Sequence, residues 1–468
     1  MVGAGPNGLA AAITLAREGY GVLLIEGAEE VGGAARSGEL TRPGFVHDLC
    51  SAVHPLGIGS PFFATLPLAD HGLEWIHPDV PLAHPLDDEP AVLLERDVGV
   101  TAAGLGDDAA AWRRLVEPFL GRWDALAGDL LGPPRLPDHP VLALRFAARG
   151  LRSSRGLTEA RFRGSRARAL FSGVAAHSMI PLERAPTAAL GMMLAIAGHE
   201  VGWPVPRGGA GRIAAALRDV FLALGGVLET RRWVRGSGQL PPTRAILFDV
   251  TPRQLIRIAS ERLPGLYRWR LGRWRYGPAA FKVDYALDAP LPWTDPACGR
   301  AGTVHLGGTE AEIARAERVV AEGRHPDRPF VLLSQPTPFD PDRAPEGKHV
   351  VWAYTHVPNG STVDVADRVE AQIERFAPGF RDLVTARAVT TPAELEERDP
   401  NLVGGSIGGG VQDLLQSLAR PIPSPDPYRV PGTDLYLCSS STPPGAGVHG
   451  LCGWHAARSA IRGSLGGV

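Results

Sequence analysis

Met1 and Val2 are followed by Gly3-Ala4-Gly5-Pro6-Asn7-Gly8, a hexapeptide with glycine at its first, third and sixth positions. An acid, Glu26, stands 18 residues beyond the last glycine. These residue types at this spacing suit the grip on a dinucleotide pyrophosphate. Gly3 permits a tight turn, Gly5 lets backbone close on the phosphates, and Gly8 lets a helix pack tightly on a strand. Pro6 and Asn7 complete the same cradle. The unpaired amides and positive dipole end of the helix meet the phosphates. Glu26 accepts from ribose hydroxyls and repels a 2′-phosphate.

The elements that must hold this turn are legible around it. Leu9, Ala12, Ile13 and Ala16 recur at helical spacing, Gly19 ends the helix, and Val22-Leu23-Leu24-Ile25 reads as a short buried strand. A strand of about five or six residues is expected before the turn, yet only Met1 and Val2 precede Gly3. Either the start lies upstream or the fold tolerates a stub, and cofactor retention should suffer before the fold does.

Three further features favour a flavin nucleotide over a nicotinamide. Val31-Gly32-Gly33-Ala34-Ala35-Arg36 follows Glu26 closely, so the Gly32-Gly33 backbone can lie against a cofactor and Arg36 can reach phosphate or flavin. Gly225-Gly226-Val227-Leu228 and Trp233-Val234 read as strand material returning to the cofactor domain, after a helix over 211–223. Near the C-terminus, Leu435–Cys438 reads as a strand, followed by Ser439-Ser440-Ser441-Thr442-Pro443-Pro444 and then Gly445-Ala446-Gly447-Val448-His449-Gly450. That last hexapeptide repeats the glycine spacing, but too little chain follows Gly450 for a further strand ending in an acid. It reads instead as a cofactor-hugging loop whose helix N-terminus stabilises negative charge on a reduced flavin. Gly209-Ala210-Gly211 and Gly408-Gly409-Gly410 follow no clear buried strand and read as turns.

The bulk properties exclude more than they assign. The 468 residues carry a formal net charge of -2, which offers no basic surface for a nucleic acid. Cys50, Cys298, Cys438 and Cys452 are scattered and form no metal-binding pair, so no metal is expected. No apolar run approaches the length of a membrane span and no leader precedes the glycine motif, so a cytoplasmic location is expected.

In the order GAGPNGL, EGAEEVGGAARS, PGFVHDLCSAVHPL, VPRGGAGRIAAAL and LYLCSSSTPPGAGVHGLCG, the chain resembles the phytoene desaturase-related FAD oxidoreductases. The resemblance points to the branch containing pyridine nucleotide-disulphide oxidoreductase domain-containing protein 2, and more distantly to the amine oxidases. It runs end to end and is most specific at the termini. It implies an α/β fold: a Rossmann-like, glutathione-reductase-type FAD-binding domain of 1–85, 205–255 and 420–468. An inserted α+β substrate domain of 86–204 and 256–419 would carry a helical cap. FAD is the implied cofactor, with Val234, Ser439, Gly445, Gly447 and Val448 joining the glycines, Glu26 and Arg36 around it. Where the family carries Gly-Ala-Gly before its C-terminal loop, this chain carries Ser439-Ser440-Ser441.

By the same resemblance, His47, Asp48 and His54 lie in a segment passing near the flavin ring, and His449 lies in the C-terminal loop. His54 and His449 are the stronger candidates for a proton shuttle, set against the reading of loop histidines satisfied by backbone. Lys282 alternates with Asp284 along Ala280–Ala286. Amine oxidases place a lysine near flavin N5 on a comparable strand, so Lys282 is a third candidate, against a solvated ion pair with Asp284.

The expected reaction is removal of hydride from a lipophilic, isoprenoid or polyene, substrate. Oxidation of an amine or small metabolite with O2 is an alternative, as is a binding protein that kept the fold without catalysis. NAD(P)H, if used, would share the flavin cleft. Eight arginines between Arg145 and Arg168 face one acid, Glu159, and Tyr267–Tyr276 mixes arginine with aromatics. Both stretches suit peripheral contact with an anionic membrane, and both suit a solvated cationic face. Oligomeric state is not legible.

Overall fold

The computed structural model describes residues 1–466. Its nucleotide-binding half is a parallel sheet ordered Val227–Glu229, Leu23–Ile25, Met1-Val2, Ile246–Phe248 and Leu435–Leu437. The two-residue stub is the central strand. Val2 donates to Leu247 O at 2.9 Å and accepts from Asp249 N at 2.7 Å on one side. On the other side, Ile25 N donates to Met1 O at 3.0 Å and Gly3 N donates to Ile25 O at 2.8 Å. The stub therefore bridges both neighbours and makes one sheet of two strand pairs.

Side chains alternate across these strands with a period of two. Leu24, Leu247 and Tyr436 face the helices Pro6–Arg17, Gly211–Ala223 and Leu451–Arg462. Ile25, Phe248 and Leu437 face the helices Pro252–Ala259 and Gly265–Leu271. Both faces are covered, as buried parallel strands require. The first and last helices cross closely because Gly453 has no side chain: a methyl there would start 1.7 Å from Asn7 O.

The second half is a seven-stranded mixed sheet ordered Val384–Thr390, Ala279–Leu287, His349–Val357, Val331–Ser334, Ala301–Leu306, Val80–His84 and Val92–Leu94. One face, with Phe281, Val283, Tyr285, Val351, Leu333 and Val304, is apolar and packs on the helix Ala366–Phe376. The other face carries Lys282, Asp284, Trp352, Tyr354, Ser334, Thr303 and His305, all but Trp352 buried. It lies under a helical cap built on Trp112, Phe119, Phe162, Phe171 and Met192. The cap helix Thr187–Glu200 buries every residue from Gly191 to His199, so it runs through the interior.

Two boundaries differ from the sequence reading. Val80–His84, placed before the boundary at 85, pairs with Ala301–Leu306 in the second sheet. Residues 256–271, placed beyond the boundary at 255, include Ile258, Leu263, Tyr267 and Leu271, which pack on Val2 and Phe248 in the first half. Apolar contact, not the end of the last parallel strand, sets the division.

Candidate active site

A single cavity of about 720 Å³ runs from the glycine turn to the polar face of the second sheet. At the nucleotide end it is lined by Gly3, Gly5, Pro6, Asn7, Glu26, Trp233 and Val234. Gly3 has φ +91, and a methyl on it would start 2.6 Å from Asp249 O. Gly5 caps the first helix, and a methyl there would start 2.7 Å from Asp249 Oδ2. Gly8 lies behind the turn, outside the cavity lining, where a methyl would start 2.0 Å from Gly3 O. Its requirement is helix–strand packing.

Glu26 is fixed before any ligand arrives. Its two carboxylate oxygens accept from Ala4 N at 2.7 Å and Ala28 N at 2.8 Å. Burial nevertheless moves its pKa upward. Trp233 lies over Gly27, where a methyl would start 2.6 Å from the indole, and supplies a flat apolar surface beside Glu26.

Asp249, which the sequence reading passed over, closes the turn. Its Oδ2 accepts from Gly8 N at 2.8 Å, and burial raises its pKa to about 8, with the charges of Asp399 and Glu26 adding to the shift. It is thus protonated at neutral pH. Asp399, also raised by burial, lines the same region. The signal available in sequence was the acid ending the strand Ile246–Phe248, directly analogous to Glu26 after Leu23–Ile25.

In the middle of the cavity, Gly33 and Arg36 line the wall, with Arg36 Nε donating to Gly33 O at 2.8 Å. Gly32, at φ +121, is turned away: a methyl on it would start 2.9 Å from Ala214 Cβ of a flanking helix. Gly32 is therefore a packing residue rather than a lining one. Ser439, Ser440, Ser441, Gly447 and Val448 line the opposite wall. Gly445, expected beside them, stands behind the wall, where a methyl would start 2.2 Å from Arg420 Nη1.

The turn Gly408-Gly409-Gly410, read from sequence as a connection only, contributes Gly408 and Gly409 to the cavity. Gly409 presses on Ser440, and Gly409 O accepts from Ser441 Oγ at 2.7 Å and Trp274 Nε1 at 3.2 Å. The serine segment is thus held by the glycine turn and by Arg420, whose Nη1 donates to Ser440 O at 3.0 Å. Gly209-Ala210-Gly211 is a turn, and Ala210 N donates to Asp48 Oδ1 at 2.7 Å.

The second end of the cavity is lined by His54, His177, Leu190, Leu194, Trp203, Lys282, Thr303, Ser334, Trp352 and Tyr354. His54 lies on the wall with Nε2 unpartnered, and burial lowers its pKa to about 4. His449 is not on the wall. Its Nδ1 accepts from Leu451 N at 3.0 Å and its pKa is lowered by burial to about 4, so it is a neutral ring that ties the loop to the last helix. Its Nε2 is buried without a partner, so of the two histidine candidates His54 stands on the wall and His449 behind it. His47 and Asp48 also lie off the wall. Asp48 Oδ2 accepts from Arg343 Nη2 at 2.6 Å, and His47 Nε2 pairs with Thr41 Oγ1 at 2.7 Å.

Lys282 reaches the cavity and is ion-paired with Asp284, but the pair is buried rather than solvated. Burial lowers the Lys282 pKa, opposed by Asp284. His47 Nδ1 stands 3.5 Å from the other Asp284 oxygen.

The aromatic-cationic stretch around Tyr267–Tyr276 is only partly a surface. Tyr267 and Trp274 are buried, while Trp269 is exposed under Arg273 at 3.7 Å. Among the described residues no helix is long and apolar enough to cross a membrane.

Residues 1–65 match the family of NAD(P)-binding Rossmann-like domains. Over 99% of its length, and 93% of the relative's, the chain is 28% identical to pyridine nucleotide-disulfide oxidoreductase domain-containing protein 2 of Rattus norvegicus. It is 26% identical to the hydroxyneurosporene desaturase of Rhodobacter capsulatus, over 98% of this chain and 97% of that one. Among solved structures, an oxidoreductase from Methanosarcina mazei superposes with a TM-score of 0.68 at 16% identity, covering 98% of this chain and 99% of that one. Cyclohexylamine oxidase from Brevibacterium oxydans superposes with a TM-score of 0.58 at 15% identity, covering 99% and 98%. The chain is thus similar over nearly its whole length to oxidoreductases that include a carotenoid desaturase, and it shares the mixed α/β fold of these solved structures.

Proposed function

We propose that this chain is an FAD-dependent dehydrogenase acting on a substrate with a largely apolar body. The observation that carries the reading is the continuity of one cavity from the dinucleotide turn to the Lys282 end. FAD suits the residues present. The amide end of the first helix opens on the cavity at Gly5, Pro6 and Asn7, and burial holds Asp249 behind it toward its protonated form, so Asp249 opposes an anionic pyrophosphate less than a free carboxylate would. Gly3, Gly5, Asn7, Glu26, Gly33, Arg36, Val234, Ser439, Gly447 and Val448 would hold it. When bound, the cofactor supplies a hydride acceptor at its flavin N5.

The chain's own part is orientation and exclusion of water. Leu190, Leu194, Trp203 and Tyr354 supply an apolar enclosure, and Lys282 is held by Asp284 at its edge. His54 is a neutral ring on the wall, available to take a proton as hydride leaves. Among the described residues the lining at this end includes no carboxylate, since Asp284 is engaged by Lys282 and stands off the wall. A substrate ammonium would find no counter-charge there, which favours a neutral substrate over an amine. An isoprenoid or polyene body fits the same walls.

The test is the visible spectrum of purified protein loaded with FAD, before and after anaerobic addition of neutral lipophilic candidates. Flavin bands that bleach on substrate addition support the reading. A protein that takes up no FAD overturns it and favours a binding role.

A further inference from the structure

Four strands of the second sheet place polar side chains in one register row beneath the cavity. Asp284 pairs with Trp352, Trp352 with Ser334, and Ser334 with Thr303. Register partners share a face and stand side by side. In this row Asp284 Oδ1, Trp352 Nε1, Ser334 Oγ and Thr303 Oγ1 are all buried without a hydrogen-bond partner. Trp352, Ser334 and Thr303 line the cavity, and the latter two are at least nine-tenths buried.

A buried polar atom left unpaired forfeits its hydration with nothing in return, so native structures rarely keep one without a use. Four consecutive register positions doing so on the cavity face is a pattern. On the opposite face Val283, Val351, Leu333 and Val304 are apolar, and Tyr285 alone among their neighbours on the strand Ala279–Leu287 leaves a buried hydroxyl unpaired.

Resting on the reading that this end receives substrate, we propose that the Trp352–Ser334–Thr303 row is a subsite for a neutral oxygen acceptor, a carbonyl group, carried on the substrate's apolar body. The chemistry of the row selects that class. An indole N–H only donates, and each hydroxyl can turn its proton toward an acceptor. Lys282, the nearest cation on these strands, is already neutralised by Asp284, so the row offers donors without a free positive charge. A carbonyl oxygen answers this set better than a carboxylate or an ammonium. A pure hydrocarbon leaves every one of the three unpaired, which is how a site built around hydrogen bonds rejects the analogue lacking them.

The test is calorimetric binding to the FAD-loaded protein of two shape-matched probes, 2-acetylnaphthalene and 2-ethylnaphthalene, in wild type, Thr303→Val and Ser334→Ala. The acetyl probe should bind about tenfold more tightly than the ethyl probe in wild type. Each variant should lose most of that preference while keeping its affinity for the ethyl probe and its thermal midpoint. Equal binding of the probes, binding of neither, or a preference untouched by both variants overturns the subsite. Binding is read without turnover. A carbonyl preference in a protein whose flavin is never reduced would sink the dehydrogenase reading alone, and substrate bleaching without any preference would sink the subsite alone.

Discussion

Asp249 Oδ2 accepts a hydrogen bond from the Gly8 amide at 2.8 Å, so a buried carboxyl group closes the amide end of the first helix. The same residue sets the spacing of the glycine motif, because methyl groups at Gly3 or Gly5 would start within 2.7 Å of its atoms. The glycines would therefore serve two purposes on the proposed reading: they admit Asp249, and they leave room for a phosphate.

Protonation of Asp249 has a stability consequence. Burial raises its pKa from the ordinary 3.8 to about 8. Between those limits the unfolded chain has released a proton that the native chain keeps, so stability falls as pH rises through that window. The slope approaches about 1.4 kcal/mol per pH unit for one fully buried group. Asp249→Asn keeps the acceptor and cannot ionise. Its melting temperature without FAD should exceed wild type at pH 7.5 and converge with it near pH 4. Glu26 and Asp399 are shifted in the same direction, so some slope should survive in the variant. Identical melting curves at pH 7.5 would refute the neutral-carboxyl account.

Gly453 is the closest point between the first and last helices. Since a methyl there would start 1.7 Å from Asn7 O, Gly453→Ala must separate the helices or unwind a turn. Overpacking of this kind costs about 1–3 kcal/mol, sometimes more. Chemical denaturation should register a loss of at least that size, together with weaker FAD retention, since Asn7 lines the cavity. A stability change within error would mean that the helices slide apart freely.

The legible part of the site was the part fixed by local backbone geometry. Gly3, Gly5, Gly8 and Glu26 lie within one strand–turn–helix–strand unit, where spacing dictates position. The register row Trp352–Ser334–Thr303 was not legible, because its members come from three strands and meet only through sheet pairing. Asp249 was missed although it ends a strand as Glu26 does, since no nearby glycine motif draws attention to it. His449 shows a different limit. It sits inside the correct loop, but its ring turns inward to cap the last helix, and chain position carries no information about ring direction. The first strand, short in sequence, is central in the sheet: Val2 bonds to Leu247 and Asp249 on one side, while Met1 and Gly3 bond to Leu23 and Ile25 on the other.

Lys282 and Asp284 form a buried ion pair, at 2% and 0% side-chain exposure. Removing one partner strands the other in a low-dielectric interior, which costs about 3–5 kcal/mol, while an apolar replacement of both is often neutral. Lys282→Met should therefore lose stability by about that amount in urea unfolding. The double variant Lys282→Met with Asp284→Leu should recover most of it. If the single variant is as stable as wild type, the pair is not the electrostatic anchor of this strand. If the double variant is fully stable yet inactive, Lys282 acts on the reaction and not merely on the fold.

The cap presents an unusual outer surface. Leu136, Val141, Leu144 and Leu151 are 91%, 64%, 71% and 55% exposed, all within one short segment, and Arg145 and Arg152 stand exposed among them. Exposed leucines are unremarkable singly, but a run of them interleaved with cations matches the headgroup boundary of an anionic bilayer. Each arginine near such a surface contributes about 1 kcal/mol, and that attraction is screened by salt. The protein should float with vesicles containing phosphatidylserine at low salt and fail to float with pure phosphatidylcholine vesicles. Leu144→Glu with Val141→Glu should abolish flotation and leave FAD content unchanged, because neither residue lines the cavity. Equal recovery with neutral vesicles would shift the explanation to hydrophobic adhesion alone. No recovery with either kind would make the arginines a solvated face whose stems cover apolar surface, and a lipophilic substrate would then have to reach the cavity from water.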